Sequence, residues 1–184
     1  MVRNPQYFSK VTVRTWPHSL SRFSFLRDFE MRDEEGGLLV VASQEWVLMD
    51  VETRKFASVK DFYTGPMDFC EDRVFEKKAR KAPSFDEGNR PDYVIVPGYS
   101  SIDLNGHVNN AIYAGFVIDA LNPGPEGDLK TMQIDYRHEV LPDRSLTVHT
   151  LVEEGRSLSK GVNEDSVVAF GAVMEFVVKG DNPL

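Results

Sequence analysis

The stretch SIDLNGHVNNAIYAGFVIDAL, residues 101–121, places a group of polar side chains directly before an apolar run. From about residue 110 to residue 121 the apolar positions follow the period of a helix, and few polar positions interrupt them. We therefore expect a helix that is buried nearly all round, with Ala111, Ala114 and Gly115 allowing a sheet to approach closely. The residues that should end this helix are Asn122, Pro123 and Gly124.

The polar residues before the helix are Asp103, Asn105, His107, Asn109 and Asn110. Asn109 or Asn110 is expected to be the N-cap, because an asparagine side chain accepts hydrogen bonds from the first unpaired N–H groups. Asp103 and Asn105 have two open interpretations, a simple turn or part of a reactive site. A metal site is a weak interpretation, because the spacing lacks the patterns of zinc and calcium sites. We predict neither a metal nor a cofactor.

Composition restricts the class of function. The formal net charge of −8 over 184 residues argues against binding along a nucleic acid, whose phosphates require a basic surface. No apolar run reaches the roughly 20 residues that cross a bilayer, and the N-terminus lacks a secretory pattern, so we expect a cytoplasmic protein. The single cysteine, Cys70, can form neither an internal disulfide nor a thiolate metal site.

The N-terminal part of the chain is rich in β patterns. Strand-like segments occur at 10–17, 23–27 and 38–50, with a hairpin turn at 33–37 and a fourth strand expected at 56–59. No amphipathic helix accompanies these strands, although the apolar face of a sheet needs a cover. The candidates for this cover are the rest of the chain, a second copy in a homodimer, or a segment that this chain lacks.

Proline, glycine and charged residues mark residues 61–92 as a linker, with one short helix expected at 70–81. A strand at 93–99, the helix and three further strands at 130–140, 145–155 and 166–180 should follow. Short turns should make the last three strands antiparallel neighbours, which gives an α+β fold class. The turn residues between them are Pro142 and Asp143, Gly155 and Arg156, and Gly161 and Asn163.

Several of these segments resemble one known family. SSIDLNGHVNNAIYAGFVIDAL (100–121) and MQIDYRHEV (132–140) resemble signature segments of the second hot-dog domain of bacterial and plant acyl-ACP thioesterases. WPHSLSRFSFLRDFEMRDEEGGLLVVASQEWVLMDVETRK (16–55) resembles the latter half of the first domain. The resemblance implies a hot-dog fold, in which an antiparallel sheet wraps around a central helix, in tandem with an incomplete first repeat.

The resemblance also implies a division of the chain. It predicts a partial N-terminal hot-dog domain of strands only at 1–60, a linker at 61–92 and a C-terminal hot-dog domain at 93–184. Family members begin with a strand and a helix that have no counterpart here, so we expect that about 40 or more residues of the family pattern are missing.

The implied activity is hydrolysis of the thioester of acyl-acyl-carrier-protein, which releases a free fatty acid in fatty acid biosynthesis. The family's catalytic positions correspond to Asp103, Asn105, His107 and Glu139. Glu139 is the implied general base that takes a proton from water, a role that His107 can share. Asp103 would orient His107, and Asn105 would position the carbonyl or the water. Plant relatives have a cysteine after the glutamate, whereas Val140 stands here, so the hypothesis is water attack without a cysteine nucleophile.

The implied partner is an acidic acyl carrier protein that bears an acyl-phosphopantetheine. Its candidate docking residues are Lys77, Lys78, Arg80 and Lys81. A solvated face of a linker helix is the alternative interpretation of these charges. Two other functions stay open: an acyl-CoA thioesterase, and a noncatalytic acyl-binding module, which needs no proton-transfer groups. No role is assigned to His18, expected in a turn, or to His138 and His149, expected in strands.

Overall fold

The computed structural model describes residues 1–53, 55–62, 69–123 and 127–178. The chain forms two compact units, Met1–Ala79 and Arg80–Leu184. In the described residues, the first unit has a three-stranded sheet and the second a five-stranded sheet, both antiparallel. Together with the helices, these sheets confirm the predicted α+β class.

The elements of the first unit are β1 (Val11–Leu20), β2 (Ser24–Asp33), β3 (Leu38–Val47) and the one-turn helix α1 (Val59–Phe62). The strands lie in the order β1-β2-β3. The hairpin turn predicted at 33–37 is confirmed, because the Asp33 carboxylate accepts the Gly37 N–H at 2.6 Å. Gly36 has a φ of +82°, which a glycine adopts without strain.

The fourth strand predicted at 56–59 is wrong. Phe56 makes an isolated bridge with Met49, and the chain turns into α1 at Val59. The Val59 N–H donates to the Arg22 carbonyl at 2.9 Å, and its side chain is 2% exposed. The apolar signal in this segment therefore reflects one buried anchor residue and not a strand.

His18 was predicted to lie in a turn, but it lies in β1. Its Nε2 is 3.0 Å from Oδ1 of Asp28, and their side chains are 5% and 1% exposed. The other carboxylate oxygen of Asp28 accepts the Val74 N–H at 2.9 Å. Burial opposes ionisation, but hydrogen bonds from Ser43, Val74 and His18 outweigh it and hold the pKa of Asp28 below its ordinary value. The buried carboxylate therefore fastens the segment containing Val74 to the sheet.

The helix predicted at 70–81 is wrong, because these residues, all of them described, contain no helix. The segment crosses the first unit's sheet from β1 to β3. Its contacts with the strands are Cys70 N–H to Pro17 O (3.2 Å), Trp16 Nε1–H to Asp72 O (2.9 Å), Val74 N–H to Asp28 Oδ2 (2.9 Å) and Lys78 Nζ to Glu45 Oε2 (2.6 Å). Backbone groups that bond to the sheet are not available for the i to i−4 hydrogen bonds of a helix.

The elements of the second unit are β4 (Tyr93–Ile95), a 3-10 turn (Tyr99–Ser101), α2 (Ile112–Leu121), β5 (Gly127–Tyr136), β6 (Leu146–Glu153), β7 (Arg156–Asn163) and β8 (Val168–Val178). The strand order is β4-β6-β7-β8-β5. The predicted neighbours β5 and β6 are therefore not paired, because β5 lies at the far edge beside β8.

The segment predicted to hold turns at Gly155–Arg156 and Gly161–Asn163 contains the complete strand β7. Only its ends lie next to turns. Gly161 is a packing residue, because a Cβ at this position would lie 2.1 Å from the ring of Phe170. Ser159 is also buried, and its hydroxyl lies 3.1 Å from the hydroxyl of Thr150 on β6. Strand β7 is therefore largely buried although its serines and glycine give it no apolar pattern.

Helix α2 packs one face on the sheet. Its buried residues are Tyr113, Phe116, Val117 and Leu121, which join a core that includes Leu146, Val148, Phe170 and Met174. The prediction of burial nearly all round is wrong, because Gly115 and Asp119 are exposed and Ile118 is 36% exposed. A Cβ at Gly115 would meet no atom within 4 Å, so this glycine does not serve close packing. The predicted end at Asn122 is confirmed, because Asn122 has a left-handed conformation and donates its N–H to Ile118 O at 2.8 Å. Gly124, which was also predicted to end the helix, lies outside the described residues.

Residues 80–92 cross the other face of the second sheet toward β4. The contacts that fasten this segment are Gln133 Nε2 to Arg80 O (2.5 Å), Ala82 N–H to Asp135 Oδ2 (2.5 Å), Lys160 Nζ to Phe85 O (2.9 Å) and Asn89 N–H to Thr150 O (3.0 Å). These contacts reach β5, β7 and β6 in turn. The segment is therefore a fixed part of the second unit.

Candidate active site

The polar residues before α2 form a tight loop. Ile102 and Val108 make an antiparallel bridge, and inside it the Asp103 N–H donates to the His107 carbonyl at 2.9 Å. Gly106 has a φ of +81° and donates its N–H to the Asp103 carbonyl at 3.1 Å. The left-handed conformation at Gly106 lets the chain reverse within five residues. This closed loop fixes the backbone from which the His107 ring projects.

A second segment brings Glu139 to this loop. Strand β5 ends at Tyr136, so Glu139 lies in the loop that follows and not in the strand predicted for 130–140. The N–H groups of Arg137 and His138 both donate to the Ala169 carbonyl, at 2.8 and 3.0 Å. Two residues after His138, Val140 contacts the polar loop that precedes α2. Its carbonyl accepts the Val108 N–H at 2.9 Å.

This backbone hydrogen bond brings the ionisable side chains of His107 and Glu139 together. Nε2 of His107 lies 3.0 Å from Oε2 of Glu139. The His107 side chain is 21% exposed and the Glu139 side chain 42% exposed, so solvent reaches the pair. An imidazole and a carboxylate at this distance can share and transfer a proton, which is the basic requirement for general acid–base chemistry.

Asp103 and Asn105 contact each other rather than the ring of His107. Oδ1 of Asp103 accepts the Asn105 N–H at 2.8 Å, and Asn105 Nδ2 lies 3.5 Å from Oδ2 of Asp103. This is an Asx-turn, as in the simple-turn interpretation, and it stabilises the loop that carries His107. Through its own N–H, Asp103 also holds the carbonyl of His107. The Asn105 side chain is exposed.

The helix entrance completes the site. Oδ1 of Asn109 accepts the Ala111 N–H at 2.9 Å, and the Asn109 carbonyl accepts the Ile112 N–H at 2.9 Å. The N-cap of α2 is Ala111, which has no side-chain cap hydrogen bond, so the N-cap predicted at Asn109 or Asn110 is wrong. Asn109 instead closes the turn that leads into the helix. The Asn110 carbonyl accepts the hydroxyl of Tyr136 at 2.9 Å. The positive end of the α2 dipole thus begins a few residues after His107.

Tyr113 is a site neighbour that the sequence analysis missed. It is 3% exposed, and burial raises the pKa of its hydroxyl to about 12 against a hydrogen bond from the Val140 backbone. The negative charges of Glu139 and Asp103 also act to raise this pKa. A tyrosine one turn after a helix cap, with a hydroxyl that must find a partner when buried, is the signal that could have identified it.

The remaining predicted groups lie elsewhere. Cys70 belongs to the first unit, and Val140, at the position of the plant cysteine, is 2% exposed. His149 forms an ion pair with Asp92 at 2.6 Å in a cleft of about 560 Å³ on the second unit. Charged side chains line much of this cleft, which suits it poorly to an apolar acyl chain.

Among the residues that the structure describes, no group of three or more His, Cys, Asp or Glu side chains is placed to hold a metal ion. No helix in the described part of the chain has the length and apolar character needed to span a bilayer.

Comparison with known proteins identifies both parts of the chain. The family model of the acyl-ACP thioesterase N-terminal domain matches residues 1–67, and that of the C-terminal domain matches residues 88–173. A palmitoyl-acyl carrier protein thioesterase of Arabidopsis thaliana is 31% identical over 85% of this chain and 41% of its own length. A dodecanoyl-[acyl-carrier-protein] hydrolase of Umbellularia californica is 26% identical over 84% of this chain and 43% of its own length.

Solved structures confirm the hot-dog fold. The 12:0-ACP thioesterase from Umbellularia californica superposes with a TM-score of 0.84 at 23% identity, over 95% of this chain and 70% of the other. An acyl-ACP thioesterase from Bacteroides thetaiotaomicron gives a TM-score of 0.76 at 23% identity, over 92% and 69% of the two chains. The chain spans less than half the length of the curated relatives above. With both of the family's domain models matched in order, this chain belongs to the acyl-ACP thioesterase family.

Proposed function

We propose that this chain hydrolyses the thioester of an acyl group carried by acyl carrier protein and releases the free fatty acid. The observation that carries the proposal is the 3.0 Å contact between His107 Nε2 and Glu139 Oε2, beside the start of α2. The similar proteins support the substrate class, because they are named as acyl-carrier-protein thioesterases and hydrolases.

In the proposed reaction, Glu139 takes a proton from water while the water oxygen bonds to the carbonyl carbon of the thioester. The negative charge that develops on the carbonyl oxygen is stabilised near the N-terminus of α2. The tetrahedral intermediate then breaks its C–S bond, and the proton passes from the Glu139–His107 pair to the departing sulfur. Asn105 positions the carbonyl or the water, and Asp103 keeps the loop closed.

Two variants test the roles of the pair. Glu139→Gln and His107→Ala should each lower kcat on an acyl-ACP substrate by about 100-fold or more, since positioned general bases contribute about 10²- to 10⁴-fold. Matched controls are His138→Ala, which replaces the exposed neighbour of Glu139, and Glu154→Gln in the exposed turn between β6 and β7. Near-normal turnover in either test variant would refute the role assigned to that residue.

The substrate class requires a parallel assay of acyl-ACP and acyl-CoA with the same acyl group. Faster hydrolysis of acyl-ACP supports the proposal, whereas hydrolysis of acyl-CoA alone would indicate an acyl-CoA thioesterase. Saturable acyl binding without release from either substrate would indicate a noncatalytic binding module.

The carrier-docking residues form a further part of the proposal. Lys77, Lys78, Arg80 and Lys81 are all exposed, and Lys78 also pairs with Glu45 at 2.6 Å. An acidic carrier would be attracted by this cluster, and salt would weaken the attraction. Reversing Lys77, Arg80 and Lys81 to glutamate should raise KM for acyl-ACP and leave KM for acyl-CoA unchanged. Equal salt dependence in the wild type and the reversed variant would reject this docking site.

The second proposed partner is another copy of this chain, in a homodimer. Large apolar side chains on the first unit's sheet are solvent-exposed in the single chain, including Val13 at 57% and Trp46 at 48%. Apolar surface of this kind often marks a contact with another protein surface. Light scattering at several protein concentrations measures the association, and a mass of one chain throughout would exclude the homodimer.

A further inference from the structure

The hydroxyl of Tyr136 joins the two segments that carry the His107–Glu139 pair. It donates to the Asn110 carbonyl at 2.9 Å. Tyr136 is the last residue of β5 and lies three residues before Glu139. Asn110 lies three residues after His107, directly before the N-cap of α2. The bond therefore ties the end of a strand to the entrance of the helix, equally close along the chain to both ionisable side chains.

The ring of Tyr136 is also held in a defined direction. It meets the ring of Tyr113 edge to face, with centroids 5.3 Å apart and an interplanar angle of 82°. The Tyr136 side chain is nevertheless 47% exposed, so burial alone does not require its hydroxyl to bond within the protein. The bond to the Asn110 carbonyl is therefore a specific contact between the two segments.

Glu139 depends on ties of this kind because it lies outside any strand or helix. Its side chain is 42% exposed, and an ion pair in contact with solvent restrains its members weakly. The chain is tied to the helix-entrance segment on both sides of Glu139. The earlier tie is Tyr136 to Asn110, and the later one is the Val140 carbonyl to the Val108 N–H at 2.9 Å. Without the Tyr136 tie, the segment could pivot about the remaining one.

We propose that Tyr136 is a positioning residue, whose hydroxyl ties the end of β5 to the entrance of α2 and so keeps the Glu139 carboxylate within reach of His107. This inference rests on the proposed function, since it concerns the geometry of the same pair. Burial raises the pKa of the Tyr136 hydroxyl above its ordinary value, so it keeps its proton at neutral pH and remains a donor. Tyr136 itself exchanges no proton with the substrate or the water.

The test removes only the hydroxyl. Tyr136→Phe keeps the ring and its contact with Tyr113. Its matched control is Tyr93→Phe, which removes a hydroxyl from β4 at the opposite edge of the same sheet. Tyr136→Phe should lower kcat on acyl-ACP by about 10- to 100-fold, as expected for a misplaced catalytic group, with KM changed by less than about twofold. Tyr93→Phe should change neither constant. A raised KM with normal kcat would assign Tyr136 to substrate binding and overturn the inference.

Amide hydrogen exchange separates a local effect from a general loss of stability. In Tyr136→Phe, exchange at the Val108 N–H should accelerate about 2- to 10-fold, because the segment that bonds to it loses its second tie. The N–H groups of Arg137 and His138 bond to the Ala169 carbonyl instead and should exchange as in the wild type. Equal acceleration at all three amides would indicate general destabilisation and overturn the positioning role.

Two further results decide the inference. Normal kcat in Tyr136→Phe, or unchanged exchange at the Val108 N–H, would overturn it. If the wild type hydrolyses neither acyl-ACP nor acyl-CoA, the proposed function fails, and the exchange measurement still decides whether the Tyr136 hydroxyl holds the two segments together.

Discussion

Replacing Asp28 by asparagine is expected to destabilise the first unit strongly. The Asp28 carboxylate is 1% exposed and lies 3.0 Å from His18, and its second oxygen accepts the Val74 N–H at 2.9 Å. In the described residues, neither His18 Nε2 nor Asp28 Oδ1 has another hydrogen-bond partner, so each depends on the other. Asparagine has nearly the same shape but lacks the charge, and it places a donor where two acceptor oxygens stood.

The magnitude follows from the contacts that are lost. Leaving a buried hydrogen-bonding group without its partner costs about 1 to 3 kcal/mol, and more where a charged group is involved, as with the Asp28 carboxylate. The unfolding free energy of a small protein falls by about 1 to 3 kcal/mol per molar urea. A loss of about 3 kcal/mol of unfolding free energy therefore lowers the urea midpoint by about 1 to 3 M. Urea unfolding followed by Trp16 fluorescence measures this shift, since Trp16 is buried in the same sheet.

The pH dependence of this loss has a definite sign. Burial raises the pKa of Asp28, but hydrogen bonds from Ser43, Val74 and His18 lower it by more than burial raises it. The net pKa therefore lies below the ordinary value. The unfolded chain therefore takes up the proton first as pH falls. The stabilisation is complete above the ordinary aspartate pKa of about 3.9 and is lost as pH falls through the folded-state pKa.

The control is Asp72→Asn, which removes a carboxylate that is 65% exposed and pairs with Arg14 at 3.3 Å. An exposed pair of this kind contributes less than about 1 kcal/mol. The stability difference between the wild type and Asp28→Asn should also begin to shrink below the ordinary aspartate pKa of about 3.9 and should disappear as pH falls through the folded-state pKa of Asp28. Equal urea midpoints for Asp28→Asn and Asp72→Asn at neutral pH would refute the assignment of Asp28 as a buried anchor.

Three glycine substitutions separate packing from backbone conformation. Gly161→Ala should cost about 1 to 3 kcal/mol of unfolding free energy, because its Cβ would lie 2.1 Å from the Phe170 ring; an unchanged urea midpoint would contradict this. Gly115→Ala should instead stabilise α2 by up to about 1 kcal/mol, since open space surrounds this position, and a lower midpoint would show a hidden contact. Gly106→Ala strains a φ of +81° and should lower kcat on acyl-ACP through a disturbed His107 loop, so full activity would argue against that loop's role.

Local patterns in the sequence determined the features that depend on neighbouring residues. Alternation of side chains located the strands of the first sheet, and the DEEGG segment located their hairpin, because turn geometry depends on a few adjacent residues. The end of α2 at Asn122 was predicted for the same reason, since asparagine tolerates the left-handed conformation that ends a helix. The resemblance of residues 100–121 and 132–140 to a known family identified the fold and the polar residues of the site.

The errors fall where distant contacts decide the local structure. Residues 70–81 have a charged, helix-compatible pattern, but hydrogen bonds to Pro17, Asp28 and other strand residues hold them extended. Strand β7 ends in Gly161 and Asn163, which suggested a turn, yet Gly161 makes room for Phe170 and its neighbour Ser159 pairs with Thr150. Thr150 and Phe170 lie on the two adjacent strands, so the pairing of the strands and not the local pattern decides these contacts.

The sequence by itself therefore determined the fold, the position of the polar loop before α2 and the residue types in that loop. Only the tertiary structure decided which of those side chains meet: the Val108 to Val140 backbone bond joins segments 32 residues apart and sets His107 at 3.0 Å from Glu139, while Asp103 turns to Asn105. The physical reason is that strand pairing and helix packing are long-range interactions, and residue spacing along a chain does not encode their distances.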